Sequence, residues 1–267
     1  MLGWPGKKTR RRKLLRRPVE AEWTPFLLRN VAQFAQLYTE QRSRLLDHAR
    51  LFVAEKRFEA ALGYQITQEM RVTIAAQACL LLLAEDPIRT RYFPRIRSII
   101  VYPNTYSAPV KSTGPAGVVT EGRNWRAGEA WHGVGSGVDG YIVLSWADVR
   151  RGGANAHDGR NVVLHEFAHA LDGEFGSVEG APMLKDKAEY RAWAQVFQRE
   201  FDVLRAAAAH GEPTLLNKYG AQSPAEFFAV ATEAYFEQPR QMKQMHPELF
   251  GQLKRYYGWD PGGGGLG

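Results

Sequence analysis

Two histidines and a glutamate stand close together in a pattern that can bind a metal ion. The segment NVVLHEFAHALDGEFG, residues 161–176, contains His165, Glu166 and His169 as an H-E-x-x-H motif. Residues four apart lie on one face of an α-helix, so the two imidazoles can bind the same ion. Glu166 points about 100° away from His165 and can instead reach a water molecule on that ion. The spacing indicates a zinc centre that activates water for hydrolysis.

The residues around the motif support this interpretation. They are apolar on most other sides of the predicted helix, which predicts that the helix is buried. Buried polar side chains need partners, and a metal ion with its surrounding groups supplies them. The apolar residues are Val162, Val163, Leu164, Phe167, Ala170 and Leu171.

A third ligand must come from another part of the chain, because a catalytic zinc normally has three protein ligands and a water molecule. The metzincin pattern is excluded, since Asp172 and Phe175 stand where that class has Gly and His. The alternative is a carboxylate on a later helix. The candidates are Glu189, Glu200, Glu226 and Glu233.

Glu226 is the favoured ligand, and Glu233 is the second choice. Ser223 and Pro224 predict the start of a helix, with Glu226 three residues after the Ser cap. A glutamate at that position often turns back to the cap, and a carboxylate used in this way cannot also face a metal. Spacing alone therefore leaves both glutamates open.

The elements that must position these residues predict an α+β fold. The chain has 267 residues, of which 45% are hydrophobic, enough for a sizeable core. Hydrophobic periodicity and caps predict helices over most of the chain, with a small antiparallel or mixed sheet in the middle. The predicted helices are a helical region from Pro25 to about Leu62, Thr67 to about Ala84, Asn161–Leu171, Lys187–Ala208, one from Ser223, and Pro247–Tyr257; the strands are Arg97–Tyr102 and Tyr141–Trp146.

Charge and cysteine content indicate how the two ends of the chain are organised and which compartment suits the protein. The formal net charge of +7 reflects residues 7–17, which carry eight Lys or Arg and no acid. We expect residues 1–22 to form a basic flexible arm and residues 260–267 a Gly-rich tail. The single cysteine, Cys79, excludes an internal disulfide and suits a reducing compartment. The absence of a signal-like apolar segment predicts a cytoplasmic protein without a membrane span.

Several segments resemble one family of bacterial zinc peptidases. The helix HEFAHALD, the segment NKYGAQSPAEFFAVATEAYF, the strand YIVLSWADV and the start MLGWP are similar to the Mlc titration factor A family. The likeness covers most of the chain from about Trp23 to Trp259. It implies a single zincin-like domain over residues 23–259, of gluzincin type, with a metal core similar to that of anthrax lethal factor. Its parts would be a helical region 23–95, a sheet in 96–147 and catalytic helices in 160–259.

The resemblance also implies roles for individual residues. It implies one zinc ion on His165, His169 and Glu226, with Glu166 as general base. Tyr219 would point at the metal and stabilise the oxyanion, a role that a phenol can fill chemically. The implied activity is aminopeptidase-like hydrolysis of small peptide substrates. The implied partner is an Mlc-type repressor that controls the glucose phosphotransferase system.

Three positions near the motif carry weaker expectations. Some family members have a histidine, before the strand YIVLSW, that can occupy the open position of the metal. Thr120 stands at the matching place here, so we do not expect the same self-inhibition, and His132 is a less favoured fourth ligand. Asp172 could support a ligand, bind a substrate amine or simply end the helix.

Two functions from different classes follow. The first is a zinc peptidase that binds its substrate along an edge strand, for which Tyr141–Trp146 is the candidate. The second is a non-catalytic regulatory protein that sequesters a repressor. Binding of nucleic acid through residues 7–17 is a weaker third hypothesis, because no nucleic-acid module is recognisable elsewhere.

Overall fold

Helices form most of the chain. The computed structural model describes residues 6–104, 106–113, 119–126, 128–131, 140–175 and 178–266. The helices are α1 (Lys7–Leu15), α2 (Trp23–Asn30), α3 (Ala32–Gln36), α4 (Thr39–Glu55), α5 (Gln68–Leu80), α6 (Trp146–Ala154), α7 (Val162–Asp172), α8 (Lys187–His210), α9 (Pro224–Glu237), α10 (Pro239–Met245) and α11 (Pro247–Tyr257).

A small mixed sheet lies beside the motif helix. Its strand order is β1-β2-β6-β5, in which β2 pairs in parallel with β1 and β6, and β5 pairs antiparallel with β6. This arrangement confirms the predicted α+β class. The strands are β1 (Arg57–Ala60), β2 (Ile96–Tyr102), β5 (Gly128–Trp131) and β6 (Gly140–Ser145), with separate antiparallel pairs β3 (Tyr106–Thr113) with β4 (Val119–Arg126) and β7 (Trp259–Asp260) with β8 (Gly264–Leu266).

The prediction that Tyr141–Trp146 forms a sheet edge is wrong. This segment is β6, which lies between β2 and β5, while β5 occupies the edge. β5 has only four residues, two of them small, and follows a Gly-rich sequence, so it carries no strand pattern that could be recognised. Its antiparallel pairing with β6 depends on a neighbour that local sequence does not reveal.

The helical region predicted between Pro25 and Leu62 is divided. Helices α2, α3 and α4 are separated at Val31 and around Leu37, and β1 follows α4. The predicted cap of the next helix is confirmed, since the Thr67 hydroxyl accepts a 3.2 Å hydrogen bond from the Met70 amide. That helix, α5, ends at Leu80, four residues earlier than expected, and continues as turns.

α5 is the central core helix. Every residue from Val72 to Leu80 is buried, including Cys79, whose thiol pKa burial raises well above its ordinary value. The helix therefore packs on all sides rather than along one stripe, as a helix surrounded by others must. No helix within the described ranges is both long and apolar enough to cross a membrane.

The basic segment is part of the folded body over residues 7–15, where a flexible arm was expected. These residues form α1, and Arg11 is only 4% exposed. Its guanidinium binds both carboxylate oxygens of Glu55 at 2.6 and 2.8 Å. It also donates to the carbonyls of Ile88 and Thr90 at 2.8 and 2.9 Å. These acceptors are distant in sequence, so a charge run alone could not indicate that one of its members is buried.

Two caps fix the starts of the helices that carry the motif and its candidate partner. The Asn161 side chain accepts hydrogen bonds from the amides of Val163 and Leu164 at the start of α7. Ser223 caps α9, with Pro224 at its first position as predicted. On the side of α7 away from the histidines, Phe167 packs against Phe93, with their ring centroids 4.6 Å apart. The caps and the core together fix the two helices.

We expect Arg11→Ala to lower the free energy of unfolding by about 1.5–3 kcal/mol, because Glu55 and two carbonyls lose a charged donor. Chemical denaturation with urea measures this change. The matched control is Arg12→Ala, which removes an exposed arginine of the same helix and should change stability by less than about 0.5 kcal/mol. Equal effects of the two substitutions would contradict the anchoring role of Arg11.

Candidate metal centre

The two histidines of α7 face each other across one turn of the helix. Nε2 of His165 lies 3.3 Å from Nε2 of His169, and their ring centroids are 4.9 Å apart. Both side chains are largely buried, at 14% and 12% exposure. The helix therefore presents two imidazole nitrogens to one point, as the i, i+4 spacing predicts.

Glu226 of α9 completes a triangle of ligand atoms. Its Oε2 lies 3.0 Å from Nε2 of His165 and 3.4 Å from Nε2 of His169. Ligands 2.0–2.2 Å from a tetrahedral zinc lie about 3.3–3.5 Å from one another. The three atoms thus have the spacing of protein ligands around a single ion, and within the described residues they form the group able to hold a metal.

The cap of α9 does not compete with this use of Glu226. Its backbone amide donates to the Ser223 hydroxyl at 3.2 Å, while its carboxylate points towards the histidines. Backbone and side chain therefore serve different partners. The competition expected from the sequence is absent because the amide alone meets the need of the cap.

Glu233 lies behind His165 rather than at the triangle. Its Oε2 is 3.2 Å from Nδ1 of His165, and its Oε1 accepts a 2.7 Å hydrogen bond from the Asn161 amide. Nδ1 is on the other side of the ring from Nε2, the atom that faces Glu226 and His169. The structure thus does not bring Glu233 to the ligand triangle, and the helical spacing that made it a candidate explains its contact with the same histidine.

The two other candidate glutamates lie elsewhere. The Glu189 carboxylate accepts from the Lys185 amide at 2.9 Å, near the start of α8. Glu200 pairs with Nδ1 of His246 at 2.7 Å. Neither contacts the motif histidines, so their carboxylate chemistry serves local structure.

Burial and charge act against each other in this cluster. Burial by itself would lower the pKa of His165, but the carboxylates of Glu233 and Glu226 raise it well above its usual value. Burial by itself would raise the pKa of Glu226, yet the hydrogen bonds from His165 and His169 hold it at about 2. Burial raises the pKa of Glu166 to about 7. The carboxylates outnumber the imidazoles, so a cation at the triangle relieves their repulsion.

Tyr219 lies at the open side of the cluster. It is 46% exposed, and its ring centroid is 6.0 Å from that of His165. The short 3-10 helix Lys218–Ala221 positions it, and the Asn217 side chain accepts from its amide at 3.0 Å. Its neighbour Gly220 is buried against α8 and α9, where a Cβ would lie 3.2 Å from Val230. The tyrosine implied by the resemblance is thus beside the candidate metal centre.

Asp172 fixes a loop and does not contact the triangle. Its two oxygens accept hydrogen bonds from the amides of Gly180 and Ala181 at 2.7 and 3.0 Å. Gly180 has a φ of +77°, and a Cβ there would collide with the Pro224 carbonyl at the start of α9. The sequence leaves three roles open for Asp172, and holding this loop is closest to the third, which is to end the helix. The carboxylate is buried and already has two donors, which leaves little capacity for a substrate amine.

Two other positions complete the comparison with the sequence. Thr120 lies in β4, opposite Ser112 of β3. His132 lies outside the described residues.

The supporting contacts made by α9 were not recognised from the sequence. Glu233 and Glu237 follow Glu226 by 7 and 11 residues, a spacing that places all three on one helical face. The Glu237 carboxylate accepts a 2.8 Å hydrogen bond from the Arg160 amide, just before α7. The regular spacing of these glutamates on an apolar helix is the signal in the sequence that α9 both completes the ligand triangle and supports α7.

Comparison with known proteins supports the same grouping. Residues 6–258 match the family described as glucose-regulated metallo-peptidase M90. The uncharacterized protein slr2042 of Synechocystis sp. is 34% identical over 253 residues, covering 94% of this chain and 89% of that protein. Mlc titration factor A of Cronobacter sakazakii is 27% identical over 270 residues, covering 98% and 93%. The factor of that name from Edwardsiella ictaluri is 28% identical over 235 residues, covering 85% and 84%.

These matches extend over nearly the whole chain and are not confined to the motif. They confirm the family resemblance drawn from the sequence. The chain belongs to the glucose-regulated metallo-peptidase family M90.

Proposed function

We propose that this protein is a zinc-dependent peptidase of aminopeptidase type, with zinc held by His165, His169 and Glu226. The observation that carries the proposal is the triangle of ligand atoms with sides of 3.0, 3.3 and 3.4 Å. Its donor set, two imidazoles and one carboxylate, is that of known catalytic zinc sites of the His₂Glu kind. Membership in a metallo-peptidase family supports the reaction class.

Glu166 is the general base in this proposal. When bound, zinc polarises the scissile carbonyl and lowers the pKa of a water molecule. The carboxylate of Glu166 takes a proton from that water as its oxygen adds to the carbonyl carbon. Glu166 then gives the proton to the leaving amine as the C–N bond breaks. Its buried position next to His165 on α7 supports this role.

Tyr219 and the charge of the site complete the proposal. The Tyr219 hydroxyl donates a hydrogen bond to the carbonyl oxygen as negative charge develops there. Glu166, Glu226 and Glu233 together carry more negative charge than one divalent ion offsets. This surplus favours a substrate with a free α-amine close to the scissile bond, which supports aminopeptidase activity.

A second function concerns a protein partner. Several relatives bear the name Mlc titration factor A, and two of them match 98% and 85% of this chain. On that basis we also propose that the protein binds an Mlc-type repressor and so affects control of glucose phosphotransferase genes. The two functions do not exclude each other, since one needs the buried centre and the other needs a surface.

Substitutions at the motif should separate metal binding from catalysis. His165→Ala should lose zinc and activity, while Glu166→Gln should keep zinc and lose about 10²–10⁴-fold in kcat, because only the proton acceptor is removed. Elemental analysis measures zinc, and hydrolysis of aminoacyl p-nitroanilides, with free or acetylated amines, measures activity. His157→Ala, at an exposed position, is the matched control. Full zinc content in His165→Ala would contradict the proposed centre, and faster cleavage of the acetylated substrates would contradict the aminopeptidase type.

Tyr219→Phe removes the hydroxyl and keeps the ring. We expect kcat to fall by about 10²–10³-fold with little change in KM or zinc content, because a donor to the developing oxyanion is lost. Steady-state kinetics beside elemental analysis measures this. Tyr190→Phe, which alters another partly exposed tyrosine, is the control. An unchanged kcat in Tyr219→Phe would show that the phenol takes no part in the reaction.

Binding of a repressor can be tested with the inactive variant. Glu166→Gln should bind an Mlc-type repressor with the affinity of the wild type, because the substituted side chain is buried and no folded partner can touch it. Isothermal titration calorimetry with purified repressor measures the affinity. If neither protein binds while the wild type hydrolyses peptides, the regulatory proposal fails and the peptidase proposal stands.

A further inference from the structure

One buried carboxylate connects the candidate ligand His165 to the start of the helix that carries it. Glu233 is 6% exposed and makes two contacts with α7. One oxygen contacts Nδ1 of His165, and the other accepts from the Asn161 amide. We propose that Glu233 is a positioning residue that fixes the orientation of His165, so that Nε2 is the atom offered to the metal. This inference rests on the proposed metal-binding role of His165.

The choice of nitrogen follows from hydrogen-bond chemistry. A neutral imidazole has one N–H and one nitrogen with a free lone pair. When Nε2 gives its lone pair to a metal, the proton is on Nδ1, and the Glu233 carboxylate 3.2 Å away accepts from it. That lone pair is directed to the point where the His169 and Glu226 ligand atoms lie, at 3.3 and 3.0 Å. Carboxylate support of this kind also raises the basicity of a ligating histidine.

The second contact makes the ring orientation depend on the backbone of α7. Asn161 is the cap of α7, and its amide is held by the same carboxylate at 2.7 Å. A shift of α9 would therefore move the start of α7 and the ring of His165 together. Glu226, on the same face of α9, moves with them. The three ligand atoms thus keep their mutual distances through one pair of helices.

The two histidines differ in this respect. Nδ1 of His169 is buried and has no hydrogen-bond partner within the described part of the chain. Its orientation rests on packing and on the groups at the triangle. His165, by contrast, has its ring held at Nδ1 by Glu233. Substitution of Glu233 should therefore affect His165 and leave His169 in place.

Glu237 provides a matched control on the same helical face. It accepts from the Arg160 amide at 2.8 Å, and no contact joins it to His165. Burial raises its pKa to about 9, so it is neutral at pH 7 and Glu237→Gln changes little in charge or shape. Glu233→Gln keeps the size of the side chain but replaces one of its two accepting oxygens by a donating NH₂ group. The amide can therefore no longer accept from the Nδ1 and Asn161 groups at once.

The experiment compares Glu233→Gln, Glu233→Ala, Glu237→Gln and the wild type, each as the full chain. Competition with a chromophoric chelator measures zinc affinity, and ¹⁵N NMR of the histidine rings in the zinc-loaded protein reports which ring nitrogen of His165 binds the metal. We expect Glu233→Gln to weaken zinc binding by about 10–100-fold, with loss of exclusive coordination through Nε2 of His165. Glu237→Gln should resemble the wild type in both measurements.

Three outcomes would overturn the inference or its basis. Equal zinc affinity and unchanged coordination through Nε2 of His165 in Glu233→Gln would overturn the positioning role, even if Glu233→Ala failed to fold. An equal loss in Glu237→Gln would overturn it too, since the effect would then belong to the general packing of α9. Absence of zinc binding in the wild type would instead overturn the proposed function, and this result is distinct from the other two.

Discussion

The structure depends on a cluster of ionisable groups held out of water between α7 and α9. Two imidazoles and the carboxylates of Glu166, Glu226 and Glu233 lie close together with little exposure. Burying such charges costs several kcal/mol per group unless each finds an opposite charge or a donor. Protons on the histidines meet this need in part, and a divalent cation meets it more fully. The apolar packing behind both helices must hold the cluster against this cost.

Aromatic side chains supply that packing on both helices. Behind α7, Phe167 contacts Phe52 and Phe93 with ring centroids 5.6 and 4.6 Å away. Behind α9, Phe227 and Phe228 pack against aromatic rings of α8 at 5.7 Å. Close-packed interiors of this kind resist small displacements. The packing consequently holds in place the two helices that carry the ligand triangle, which is one condition for a preorganised centre.

Local signals predicted part of this arrangement well. The motif, the caps at Thr67 and Ser223 and the bounds of α11 depend on residues close in sequence, and the structure agrees with them. The edge strand β5 and the burial of Arg11 depend on distant partners, which a single sequence does not display. Charge patterning predicted a flexible arm, whereas residues 7–15 form a helix, and it could not identify Arg11 as the arginine with buried acceptors.

The choice between Glu226 and Glu233 shows where periodicity reaches its limit. Seven residues make almost two turns, so both glutamates lie on the same face of α9 but about 10.5 Å apart along its axis. Periodicity gives the face and leaves the axial position of α9 relative to α7 undetermined. That position decides that Glu226 contacts Nε2 of His165, while Glu233 contacts Nδ1. The tertiary offset of two helices thus assigns different chemistry to identical side chains.

Burial also constrains how a peptidase centre and a repressor-binding surface could share one chain. The side chains of His165, His169 and Glu226 are 12–22% exposed, which admits an extended chain or a small substrate but not the surface of a folded domain. A folded repressor would have to bind residues outside the centre. Under the proposed functions, occupancy of the metal site would affect partner binding only through movement of α7 or α9. Because the packing behind both helices resists such movement, the two activities should be energetically independent to a first approximation.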